Sequence, residues 1–142
     1  MQRFLGASHR WLGLTTVVVF LLTGLLLRRQ HLEVPDLDAG LRMLFRSRHI
    51  HLLFAGLLNL AIGLRFALPV AARARRIAVA GSVLLLVSLF LLFTAFVLEP
   101  MGSGRFGPVR ALGVLAACLG VINHSLAAST WRIAWAATSC SR

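Results

Sequence analysis

Between Arg76 and Glu99 the chain reads IAVAGSVLLLVSLFLLFTAFVL, the stretch Ile77–Leu98, 22 residues without a charge. At about 1.5 Å of rise per residue, a helix of this length covers roughly 33 Å and crosses a hydrocarbon core about 30 Å thick. Backbone N–H and C=O groups surrounded by lipid must bond within their own segment, so the run is predicted to be a membrane-spanning helix. Arg75 and Arg76 precede it, and Glu99 and Pro100 end it.

Working outward, three further apolar runs resemble it. The first is 11–27, 17 uncharged residues between Arg10 and Arg28 whose short length calls for both arginines to snorkel to the headgroups. Trp11 stands at its start as an interface anchor. The second is 49–68, ended by Pro69, and the fourth is 109–131, reached through the glycine-rich turn Pro100–Pro108. The predicted fold is therefore all-α: a polytopic integral membrane protein in which four transmembrane helices form one up-down bundle over residues 1–142. The longest connection holds three of the four acids, Glu33, Asp36 and Asp38, and His31 falls in it as a loop residue. Pro35 breaks it, and Asp36 or Asp38 can cap the next helix. In 36–48 the residues Leu37, Leu41, Leu44 and Phe45 recur at helical spacing between arginines, which reads as an amphipathic lead-in on the membrane surface running into the second span.

Composition agrees with this and excludes most other classes. The chain is 58% hydrophobic and 13% charged, too apolar for an ordinary soluble domain, and no connection is long enough to bury its own core. The net charge of +11 comes from 15 arginines and no lysine. These sit at span ends and in short loops, where lipid headgroups and membrane topology place them, so the basic balance points to a bilayer rather than to nucleic acid. Eight arginines fall on the side of the termini and seven on the other, which scarcely separates the two faces. The acid-free turn holding Arg73, Arg75 and Arg76 favours both termini in the cytoplasm. The first run is read as a retained span rather than a cleaved signal peptide. Cys118 and Cys140 are expected to be a packing residue and a tail thiol, not a disulfide.

Each span carries a stripe of small or polar residues: His9, Gly13, Thr16, Thr23 and Gly24; His49, Gly56, Asn59 and Gly63; Gly81, Ser88 and Ala95; Gly113, Ala117, Gly120 and His124. Leucine faces gain nothing by leaving lipid for one another, whereas small residues let backbones approach and polar ones bond across. The stripes are expected to face inward, with sequential helices as neighbours and the first helix beside the fourth.

Ionisable groups inside a membrane are costly, and each one is a functional candidate. His124 lies 16 residues past Pro108, at about 24 Å along its helix, and closes a small-residue stripe. An imidazole there can ligate haem iron or a metal or relay a proton; it can equally be a neutral histidine bonded to a neighbouring helix's carbonyl or hydroxyl. His9 opens the first span in Ser8-His9-Arg10-Trp11-Leu12-Gly13-Leu14, and that span closes in Leu22-Thr23-Gly24. This pattern resembles the first transmembrane helix of the PepSY-associated membrane proteins, over about the first fifth of the chain. Members of that group include membrane reductases that hold b-type haem between histidines of different helices, so the resemblance implies that His9 matches the histidine opening the motif. On helical rise alone His124 lies about 6 Å deeper than His9, which a shared haem must level by helix tilt.

On the opposite side, His49 and His51 point about 200° apart and cannot both face one centre. His49 is in line with Gly56 and Gly63 and is the bundle-facing one, a third candidate haem ligand. Glu99 falls at the same depth and is expected to clamp His49, Arg48 or Arg46. No Cys-x-x-Cys, nucleophile elbow or phosphate loop is present, and no catalytic residue is assigned. Three functions remain. One is a bacterial inner-membrane redox protein or redox subunit, with b-type haem on His124 and His9 or His49 passing electrons to or from quinone. Another is a non-catalytic subunit of a larger membrane complex or a homo-oligomer. The third is a metal or proton transporter, disfavoured because the spans lack broken helices and paired acids.

Overall fold

A computed structural model of the chain describes residues 1–33, 39–98 and 107–139. They form four helices: α1 (Gln2–Glu33), α2 (Ala39–Leu64), α3 (Ala72–Leu98) and α4 (Pro108–Ser139). All four are long and apolar enough to cross a membrane, over Gln2–Leu26, Arg46–Leu64, Ala72–Leu98 and Pro108–Ser129. The chain is an all-α, multi-pass membrane protein, and its lipid-facing surface is built from leucine, valine and phenylalanine, among them Leu21, Leu25, Phe54, Phe90 and Leu115.

Several helix boundaries differ from those expected, α3 beginning at Ala72 rather than Ile77 and α4 running on to Ser139. α1 begins at Gln2 rather than Trp11, because Arg3 and Arg10 are exposed and reach water from within a helix. It also runs through His31, which therefore lies on its last turn and not in a loop. α2 stops at Leu64, four residues short of the expected end at Leu68. A helix continued through Pro69 would drive the proline ring into the carbonyl of Arg65, so the turn closes early, with the Arg65 N–H on the Ile62 carbonyl at 3.2 Å. Residues 39–48 are continuous with α2, a lead-in that runs into the second span. Pro35, Asp36, Asp38, Glu99 and Cys140, with most of the Pro100–Pro108 turn, lie outside the described residues.

The small-residue stripes do face inward. Gly13 shows why: a Cβ there would stand 2.6 Å from the Leu60 backbone nitrogen and 2.8 Å from the Gly56 carbonyl, so α1 and α2 touch backbone to backbone. On the other pair, a Cβ at Gly120 would lie 2.6 Å from Leu85 Cγ and 3.0 Å from the Gly81 carbonyl. Ala74, Ala78, Gly81, Ser82, Leu85, Ser88, Leu89, Leu92 and Ala95 make one buried line down α3. Cys118, by contrast, is exposed on α4 and is not part of the packing.

The helices pack as two close hairpins, α1 with α2 and α3 with α4, joined along α2 and α3. Among the described residues α1 and α4 do not pack along their length as neighbours in a closed bundle would. They approach through side chains at one end, beside the α2–α3 connection.

Candidate functional site

The antiparallel order brings the start of α1, the end of α2, the start of α3 and the second half of α4 to the same end of the molecule. Four polar side chains meet there: His9, Asn59, Ser82 and His124. His9 and Asn59 are completely buried. Space for them comes from Gly63, where a Cβ would stand 3.0 Å from His9 Cβ and 2.6 Å from the Arg10 nitrogen.

Asn59 sets the chemistry of His9. Its amide Nδ2 donates to the Ala55 carbonyl of its own helix at 2.9 Å and to the Leu85 carbonyl of α3 at 3.3 Å. With both protons spent, its Oδ1 faces His9 Nδ1 at 2.7 Å and can only accept. His9 Nδ1 therefore carries the proton, and in the neutral ring Nε2 carries a bare lone pair. That Nε2 is buried and, among the described residues, has no hydrogen-bond partner. A histidine whose one nitrogen donates to a carbonyl-type oxygen while the other is left open is arranged as metal-ligating histidines are. The one side chain also ties α1, α2 and α3 together.

His124 completes the cluster. Its ring centroid lies 6.4 Å from that of His9, with the planes at 77°. Its Nε2 is 3.1 Å from Ser82 Oγ, a bond to a neighbouring helix's hydroxyl. Phe66, from the α2–α3 connection, sits against both rings, 5.7 Å from His9 and 6.2 Å from His124. Beside them opens a cleft of about 810 Å³, walled by Ala61, Ile62, Ala78, Ala127 and Ala128, with His124 and Phe66 in its lining and Arg65 at its polar end. Small-molecule sites commonly occupy roughly 300–1,000 Å³.

His49 is not brought into this cluster. It is ten residues from Asn59 along α2, about 15 Å of rise. Its Nε2–H donates to the Phe20 carbonyl at 2.7 Å, with the Thr23 hydroxyl 3.0 Å away, and its ring stacks on Phe20 at 4.0 Å. Gly24 makes room, since a Cβ there would be 2.9 Å from His49 Cε1. Through this bond His49 ties α1 to α2, away from the His9–His124 cluster. His51 donates from Nδ1 to the Ser47 carbonyl at 2.6 Å on its own helix. Arg48 is buried at the same depth as His49, and the clamp expected from Glu99 lies outside the described residues.

Two members of the site carried no signal of their own in the sequence. Ser82 is one residue from Gly81 and falls off the seven-residue spacing of Gly81, Ser88 and Ala95. Phe66 stands in an irregular segment where no periodicity applies. Among the described residues no group of three or more His, Cys, Asp or Glu side chains could hold a bare metal ion. No family model, curated protein or solved structure matches the chain.

Proposed function

We propose that this chain is a small redox protein of a bacterial inner membrane, holding one b-type haem between His9 and His124 and passing electrons to or from a lipophilic partner such as quinone. The observation that carries this reading is the buried, unpartnered Nε2 of His9, with its tautomer fixed from behind by Asn59. Two histidines are too few for a bare ion, which takes about four protein donors at a closed structural site, but they suffice for an iron whose other ligands are porphyrin nitrogens. His9 and His124 stand close enough, 6.4 Å between ring centroids, to be the pair that would hold the group. Haem iron supplies one-electron redox chemistry within the membrane.

The chain's own residues would do the rest. Asn59 holds His9 in one tautomer and one orientation. The Ser82 hydroxyl, free to rotate, keeps the His124 Nε2 hydrogen-bonded and can turn away from it. Ala78, Ala127 and Ala128 line an apolar cleft that keeps water from the imidazoles, and Arg65 offers a cation to acidic groups at its rim. The His-Arg-Trp-Leu-Gly opening of α1 fits a relationship to the PepSY-associated proteins, and we place both termini in the cytoplasm.

The test is the colour of the purified protein. A Soret band is expected in the wild type and in His49→Ala, and its loss in His9→Ala and in His124→Ala. A colourless protein that stays folded through all three substitutions would instead favour a non-catalytic subunit whose imidazoles only tie helices together.

A further inference from the structure

Two rings that line the cleft, those of Phe66 and His124, pack against His9, which is completely buried and does not line the cleft itself. Phe66 does not belong to a helix. It begins the irregular run 66–69, between the early stop of α2 and the start of α3. Its carbonyl takes one long hydrogen bond, from Gln2 Nε2 at 3.5 Å, and its Cβ rests 3.3 Å from where a Cβ at Gly6 would be. Moving this residue breaks no helical hydrogen bond, and the adjoining cleft can receive the ring.

We propose that Phe66 is the gate between the cleft and His9. With the ring seated, His9 Nε2 is sealed. With the ring swung into the cleft, a flat apolar ligand lying between the ends of α2 and α4 reaches both imidazoles. The ligand class, a haem-type macrocycle, rests on the function proposed above; the gate itself rests only on the positions of Phe66, His9 and the cleft. The device also accounts for a buried lone pair that has no partner among the described residues, since the group that uses it enters after folding.

Two measurements on the full chain in detergent micelles separate the gate from the ligand. In the first, apo-protein is mixed with haemin and the Soret band is followed in time for wild type, Phe66→Ala, Phe66→Leu and Phe66→Trp. Minor open states are typically populated at roughly 0.1–10%, so removing the ring is expected to speed loading by about tenfold or more, with Leu intermediate and Trp slower than wild type. Equal rates across the series overturn the gate. In the second, diethyl pyrocarbonate modifies accessible imidazoles and peptide mass spectrometry reads His9 alone. His9 is expected to be protected in wild type and to react about tenfold faster in Phe66→Ala or Phe66→Leu; the same reactivity in all variants overturns the gate. If no variant binds haemin but His9 is unmasked by the smaller side chains, the gate stands and haem as its ligand falls. Phe66→Leu keeps an apolar side chain against Gly6 and serves where Phe66→Ala does not fold.

Discussion

Asn59 is the residue on which most depends, because one amide fixes both a proton and a packing arrangement. Replacing it with leucine of similar size removes the acceptor from His9 Nδ1 and the donors from the Ala55 and Leu85 carbonyls. A buried donor left without a partner costs about 1–3 kcal/mol. Intramembrane hydrogen bonds are worth less on average, near 0.6 kcal/mol, because the unfolded chain in lipid also finds partners. Asn59→Leu is therefore expected to lower stability by about 1–2 kcal/mol in denaturant titrations of the protein in micelles. Its larger effect should fall on ligand affinity, which losing the group behind a ligating histidine weakens by about 10–100-fold in a haemin titration. An affinity unchanged by Asn59→Leu would mean that His9 is held by packing alone. His49 offers the contrast: an imidazole of the same type, also facing inward, but held through Nε2 on the Phe20 carbonyl and about 15 Å of rise along α2 from Asn59. The residue type made both histidines candidates in the sequence. What each ring meets, and at which end of the bundle, separates them.

Along the helices, the close approach of α1 to α2 rests on glycine. Gly13→Ala forces a Cβ to within 2.6 Å of the Leu60 backbone, and no side-chain rotation can relieve a clash with main chain. Overpacking of this kind costs about 1–3 kcal/mol. Gly6→Ala, whose Cβ would meet the Phe66 side chain at 3.3 Å, should cost less. Thermal unfolding in micelles ranks the two, and equal melting temperatures would contradict backbone contact at Gly13. Such stripes were legible in the sequence because lipid leaves small and polar residues as the material for helix contacts. The spans themselves were legible for the same reason. What the sequence concealed was local: the early end of α2, where Pro69 acts four residues upstream through Arg65, and the placement of Phe66 that this end produces. Rise per residue put His124 about 6 Å deeper than His9, and the ring centroids stand 6.4 Å apart.

For the protein as a whole, four spans return the chain to the side on which it started. Reporter fusions at the two ends, or cysteine labelling from each face, are expected to find both termini on one side, and the acid-free turn at Arg73, Arg75 and Arg76 with them. Termini on opposite faces would remove a span and with it the meeting of α1 and α4. The two-hairpin arrangement has a consequence for function: among the described residues α1 and α4 do not pack along their length, so a ligand held by His9 and His124 would join the two halves of the molecule. The most direct test is the electron paramagnetic resonance spectrum of the oxidised, haem-loaded protein. Axial ligation by His9 and His124 predicts a low-spin ferric signal in wild type and in His49→Ala, replaced by a high-spin signal or no haem at all in either His9→Ala or His124→Ala. A low-spin signal that survives in both single variants would contradict a shared iron.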